Sequence, residues 1–278
     1  MLEQFAKEGS NDTFEGTWNA VSGVTEGAFN AYLISLHENE NSTAAVHDTV
    51  KSLKDFWIKV GSDSVYKSHT FGFLEGLVFR DGVYKADPIE KLIDEEFGSG
   101  DLQKKNSKRA LNIGIANLMN GTFVSFNDKF KTRDLIKVLK ASVVYPGVFA
   151  PFEAWNTTWL TGSSVWNIDV AAPILRCKNM GYAEEDIIID AVIDDASELP
   201  KVNVSNYNAF EMGIRSYEVV NFYTARKALL NAQIAYPSVT FRHVVGPKTS
   251  WRDWSFDQLY RQLFQWVPIS YSKAEIGW

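Results

Sequence analysis

The sequence predicts an α/β layered fold, because segments with the two-residue period of a strand alternate with segments of helical period along the whole chain. Three stretches carry this reading. The alternating segment Thr17 to Ser22 runs into Gly23-Val24-Thr25-Glu26-Gly27 and then into Ala28 to Leu36, where Ala28, Ala31, Tyr32 and Leu36 have helical spacing: strand, tight turn, helix. Leu111 to Leu118 and Gly121 to Phe126 read as two strands joined by Asn120-Gly121, a strong hairpin dipeptide. Asp186 to Ile193 is a short continuous apolar run, typical of a strand buried on both faces in a mostly parallel sheet.

The remaining elements fall between these. Residues 43 to 59 and 88 to 97 have helical period, the second with Ile89, Leu92, Ile93 and Phe97 on one face. Arg133 to Ser142 reads as a helix that stops before Pro146. Val170 to Met180 reads as another, with Pro173 tolerated near its first turn. A long helix is predicted over about Tyr207 to Ala235, then a strand over Ser238 to Val245 and a terminal helix from Phe256 to Gln265. No repeat, low-complexity tract or linker divides the chain, so residues 1–278 are expected to form one domain.

Composition narrows the function. With 45% hydrophobic and 22% charged residues the chain is an ordinary globular protein, neither disordered nor fibrous. A formal net charge of −6 disfavours a nucleic-acid partner, whose phosphates reward a positive surface. The single cysteine, Cys177, excludes an internal disulfide and a cysteine-based metal site. His37, His47, His69 and His243 share no ligand spacing, so neither a metal nor a cofactor is expected. No apolar run approaches the roughly 20 residues of a membrane-spanning helix, and the first residues lack a signal-peptide pattern, so a soluble chain is expected. Five N-x-[ST] sequons, at Asn11, Asn41, Asn120, Asn156 and Asn203, hint at a secretory history.

The chemistry-bearing pattern is the pentad at the first helix. A strand entering G-x-[nucleophile]-x-G and then a helix builds a nucleophile elbow, a strained turn that presents its central side chain at the helix N-terminus. Glycine is expected at both flanks, Gly23 and Gly27, because a side chain at either would clash across so sharp a bend. The stretch V-S-G-V-T-E-G-A-F-N-A, Val21 to Ala31, resembles the elbow of patatin-like phospholipases. Two further landmarks occur in that family's order. Ala141-Ser142-Val143-Val144-Tyr145-Pro146-Gly147-Val148-Phe149-Ala150-Pro151 looks like the family's A-S-x-A-x-P-x-x-F-P-P segment, and Ser164-Val165-Trp166-Asn167 with Arg176-Cys177 is similar to the residues that come after its D-G-G. The resemblance covers the chain from about residue 15 and implies a three-layer α/β/α fold with a mostly parallel central sheet.

It also implies a serine–aspartate dyad and a glycine-rich oxyanion loop, and this chain departs from each. Thr25 stands at the serine position, and its extra methyl crowds the turn. The D-G-G aligns with Thr161-Gly162-Ser163, which puts Thr161 where the base should be, and a threonine hydroxyl cannot act as a general base near neutral pH. Nothing in residues 1 to 22 resembles the glycine-rich loop. Glu26, directly after Thr25, would oppose developing oxyanion charge and repel a lipid phosphate. The same two residues also read as an ordinary helix start, with Thr25 as N-cap and Glu26 favoured by the helix dipole. Asp169 replaces the base only if the alignment slips, and Asp190, Asp194 and Asp195 fall near the end of a predicted strand.

The expected function is therefore that of a pseudoenzyme which acts by binding or assembly. The alternative is a lipid acyl hydrolase using Thr25 with an unrecognised base. Two faces are candidate contact surfaces. Arg133, Lys137 and Lys140, preceded by Lys129 and Lys131, share one helix face and could meet anionic headgroups or an acidic partner, or serve as a solvated face. The aromatic tail with Trp251, Trp254 and Trp266 suits a protein interface, a homodimer among the options, or the packing of the domain's own edge.

Overall fold

The computed structural model describes residues 18–37, 43–60, 65–98, 109–193, 199 and 201–246. In chain order the strands are β1 (Ala20–Val24), β2 (Lys67–Ser68), β3 (Tyr84–Lys85), β4 (Ala110–Asn117), β5 (Phe123–Asn127), β6 (Phe152–Ala154), β7 (Thr157–Thr161), β8 (Ile188–Val192) and β9 (Thr240–Val245). The α-helices are α1 (Glu26–Ser35), α2 (Thr43–Lys59), α3 (Phe73–Phe79), α4 (Asp87–Phe97), α5 (Thr132–Ser142), α6 (Ala171–Asn179) and α7 (Ala209–Ala235). The predicted terminal helix from Phe256 to Gln265, together with Trp251, Trp254 and Trp266, lies outside the described residues.

The architecture is mixed α/β. The five-stranded central sheet is organised around β4, the strand whose first seven residues are all buried. β1 runs parallel to β4, while β5 and β7 are antiparallel to it and β6 is antiparallel to β7. The parallel arrangement expected from sequence thus holds for β1–β4, and for β8–β9 in a separate two-stranded sheet. The hairpins make the central sheet mixed, since tight turns such as Asn120-Gly121 can join only antiparallel strands.

Period-two alternation along β4 assigns its two faces different work. Leu111, Ile113 and Ile115 point into the main core with Ala28 and Phe29 of α1 and Leu135, Val138 and Leu139 of α5. Asn112 points to the opposite face, where Val170, just before α6, and Ile174 of α6 join Ile187, Ala191, Leu229, Ala232 and Val239 in a second, smaller cluster. An aromatic group of Phe29, Phe56, Trp57 and Phe97 ties α1, α2 and α4 together at ring separations of 5.3 to 6.4 Å.

Two local expectations are corrected. The strand starting the elbow is Ala20–Val24 and α1 begins at Glu26, so the turn is reduced to Thr25. β8 is not buried on both faces: Ile188 is 46% and Val192 61% exposed, and only Ala191 is buried. Among the described residues it pairs with β9 alone, and none of them covers the exposed side of the run.

Candidate functional site

The elbow and the Thr161-Gly162-Ser163 segment meet because two strands end head to head on the same neighbour. β5 occupies one edge of β4 over Asn112 to Ala116. β1 and β7 therefore share the other edge, β1 pairing up to Val24↔Gly114 and β7 pairing down to Thr161↔Ile115. Their C-terminal ends converge on adjacent residues of β4. Thr25, the first residue past β1, and Thr161, the last of β7, are brought into contact with their Oγ1 atoms 2.7 Å apart.

Both hydroxyls are sealed from solvent, Thr25 at 2% and Thr161 at 0% exposure. Thr161 Oγ1 also lies 3.1 Å from the Ser163 hydroxyl and accepts weakly from the Ser163 backbone N–H at 3.4 Å, which starts the short 3-10 turn Gly162–Ser164. Ser142, fully buried beneath the turn, donates to the Leu139 carbonyl at 2.7 Å. Gly162 is held small by its surroundings, because a Cβ there would sit 2.6 Å from the Gly114 carbonyl oxygen and 2.9 Å from the Phe123 ring.

Thr25 does not cap α1. Its backbone has φ 56° and ψ −122°, and its side chain makes no capping bond. An N-cap works from extended backbone with the side-chain oxygen turned back onto the first-turn amides, and the positive φ turns Thr25 away from them toward Thr161. For a β-branched residue this conformation is a steric outlier, with a cost of about 1–3 kcal/mol that the surrounding structure must hold in place. The helix-start reading is corrected on this point. It survives for Glu26, which sits in the first turn and accepts a hydrogen bond from the Tyr145 hydroxyl at 2.9 Å, linking the elbow to the Ala141–Pro151 segment.

The two flanking glycines are not equivalent. A Cβ on Gly23 would fall 1.9 Å from the Gly27 carbonyl oxygen, whereas a Cβ on Gly27 would meet nothing within 4 Å. The bend needs glycine at the strand side only.

A second polar group lies on the α6 face of the sheet and, apart from Asp169, carries no signal in the sequence. The Asn112 Nδ2 amide donates to Ser125 Oγ at 3.0 Å, and Ser125 donates to Asp169 Oδ2 at 2.9 Å. Asp169 Oδ1 accepts from the Ala172 N–H at the start of α6. Among the described residues, Ser22 Oγ and Asn112 Oδ1, side chains of register partners on β1 and β4, have no hydrogen-bond partner. Burial raises the Asp169 carboxyl above its ordinary pKa, and the Ala172 and Ser125 hydrogen bonds offset only part of this. Asp169 is thus engaged as a helix cap.

The raised pKa has a testable sign. A carboxyl that holds its proton more tightly in the folded chain gives its most favourable contribution below the unfolded value of about 3.9, and that contribution declines as pH rises toward the folded pKa. Asp169→Asn keeps an acceptor for Ala172 and cannot ionise. Its stability relative to the parent is therefore expected to improve from pH 4 to pH 7, within about 1 kcal/mol of parity at acidic pH. Urea midpoints at the two pH values check this, and a constant difference would place the carboxyl in water.

The other candidates are placed elsewhere. Asp190 bonds to Arg242 at 2.5 and 3.0 Å and accepts from Trp18 Nε1 at 2.9 Å. Burial opposes its ionisation, but the Arg242 and Trp18 bonds outweigh it and hold its pKa below the usual range. It fastens β8 to β9. Asp194 and Asp195 lie outside the described residues. On α5, Lys140 pairs with Asp94 at 2.7 Å and Lys137 stands 5.6 Å over the Trp155 ring. With Arg133 and Asp94 they line an open groove, so part of that cationic face is already neutralised by α4. No group of histidine, cysteine or carboxylate side chains among the described residues could hold a metal ion, and no described helix is long and apolar enough to cross a membrane.

No protein-family model matches this chain, and no curated protein is significantly similar to it.

Proposed function

We propose that this chain is a patatin-like protein without catalytic activity, a three-layer α/β/α domain that acts by binding or assembly. The observation that carries this is the Thr25–Thr161 hydroxyl pair, 2.7 Å apart and buried, formed by the two residues that the motif resemblance aligns with the family's nucleophile and base. A hydroxyl nucleophile requires a group able to accept its proton, and neither Thr161 nor Ser163 can do so near neutral pH. Among the described residues no carboxylate bonds to Thr25 or Thr161, and Asp169 is committed to Ser125 and Ala172. Substrate access would also need the sealed pair to open. The helices on both sides of the central sheet support the three-layer reading.

The binding half of the reading is supported by α7. Its inner side buries Phe222, Leu229 and Ala232, while Met212, Val220, Tyr223, Leu230 and Ile234 are exposed at helical spacing on the other side. A helix that is apolar on opposite sides is the pattern of one covered on both.

The test is chemical. The purified protein is expected to hydrolyse no acyl ester above a denatured control and to take no label from a serine-directed fluorophosphonate. Thr25→Ser is expected to remain silent, because it restores the nucleophile without a base. Stoichiometric labelling of Thr25 in the parent would overturn the proposal in favour of an active lipid acyl hydrolase.

A further inference from the structure

The sequons raise a question the elbow does not answer: whether the folded chain could carry glycans at them. N-glycosylation demands two things of a protein. The acceptor needs a hydroxyl two residues after the asparagine, and the folded product must leave that asparagine's amide nitrogen in solvent. Asn11 and Asn41 lie outside the described residues. Asn120, Asn156 and Asn203 meet both demands.

All three are exposed, and all three sit in turns or loops where a bulky substituent projects away from the core. Asn120 precedes Gly121 in the β4–β5 hairpin. Its Oδ1 accepts from the Thr122 N–H at 3.1 Å and from the Thr122 hydroxyl at 2.7 Å. Asn203, in the segment before α7, repeats the arrangement, its Oδ1 accepting from Ser205 N–H at 3.0 Å and Ser205 Oγ at 2.7 Å. In both turns the carbonyl end of the side-chain amide is held by the sequon's own hydroxyl. Asn156 occupies the tip of the β6–β7 hairpin at φ 57°. Among the described residues none of the three Nδ2 amides donates a hydrogen bond, so a substituent there displaces nothing. By contrast Asn112, which is not in a sequon, is buried and uses its Nδ2 amide to donate to Ser125.

We infer that Asn120, Asn156 and Asn203 are N-glycan attachment sites. The donor is an oligosaccharide carried on a polyprenyl diphosphate. The asparagine Nδ2 forms a bond to the anomeric carbon, the bond from that carbon to the diphosphate oxygen breaks, the diphosphate leaves with the electron pair, and one amide proton passes to a base of the transferase. No redox partner is needed.

The inference is independent of the proposed loss of catalysis. It is tested on the full chain isolated from its native source, digested with a peptide-N-glycosidase in heavy-oxygen water and read by peptide mass spectrometry. The expected result is conversion of Asn120, Asn156 and Asn203 to heavy-oxygen-labelled aspartate. Each site is scored alone: a peptide recovered unmodified removes its site, and all three unmodified overturn the inference. For the full-length chain produced in the same cells, Thr122→Ala, Thr158→Ala and Ser205→Ala should each abolish modification at their own site only. Thr122→Ser, Thr158→Ser and Ser205→Thr should retain it, which separates loss of the sequon from loss of folding.

Discussion

Gly23→Ala is expected to cost more than about 4 kcal/mol, a large share of the stability of an ordinary domain. The added methyl would lie 1.9 Å from the Gly27 carbonyl oxygen, 2.3 Å from its carbonyl carbon and 2.6 Å from the Ala28 nitrogen. All three are backbone atoms, and none can swing aside as a flexible side chain would. On one side Gly23 is fixed by its pairing with Ile113 of the buried strand β4. On the other, the first turn of α1 is fixed by Ala28 and Phe29, both buried in the main core. Relief requires that β1 and α1 part, which opens the core between them. Gly27→Ala is the control. It places a methyl where there is no neighbour within 4 Å and replaces a helical glycine, so its midpoint should stay within about 1 kcal/mol of the parent or rise. Urea denaturation of the two variants separates them. Equal midpoints would mean that strand and helix are not joined by so sharp a turn.

This contrast also marks what the sequence could reveal. The strand–turn–helix at residues 17 to 36 is legible because it is local, and helix α4 is legible because Ile89, Leu92, Ile93 and Phe97 keep a helical period and share one buried face. The meeting of Thr25 with Thr161 is not available from spacing. It depends on β4 offering one edge to both β1 and β7, a pairing between segments 136 residues apart. The β6–β7 hairpin is hidden in the sequence because its turn is Trp155-Asn156, both with positive φ. Tryptophan carries no turn signal. Here its ring is held by Phe126 at 5.4 Å and Trp159 at 5.9 Å, so packing overrides local preference. Similarly, Asp186 to Ile193 announces an apolar strand but not how many layers will cover it. The helix-start reading of Thr25 rests on residue type, and residue type does not fix the backbone angle that aims the side chain.

Thr161→Asp installs the carboxylate that the patatin resemblance would require, and it is expected to destabilise the chain by about 3–5 kcal/mol at pH 7, the usual cost of an uncompensated buried charge. Among the described residues the site offers hydroxyls from Thr25 and Ser163 as donors but no cation, and the position is 0% exposed. Hydrogen bonds from two neutral groups recover part of the lost hydration and leave the charge unpaired. Burial therefore raises the carboxyl's pKa in the folded chain above the unfolded value of about 3.9. The sign comes from proton linkage. Below the unfolded pKa both states are protonated and the charge penalty is absent. As pH rises the unfolded chain ionises first, and stability falls until the folded carboxyl ionises too. The expected signature is a variant near parental stability at pH 3 to 4 that weakens steadily toward pH 7, measured as urea midpoints across that range. Thr161→Asn, similar in size and unable to ionise, should show no such slope relative to the parent. A flat profile for the aspartate variant at parental stability would mean that solvent reaches the position, and would reopen the case for an accessible site. With Thr25→Ser added, the pair would hold a serine and a carboxylate and still be expected to hydrolyse nothing. The hydroxyl would remain at a position only 2% exposed, beside the Glu26 carboxylate, so an ester could not reach it without the pair opening.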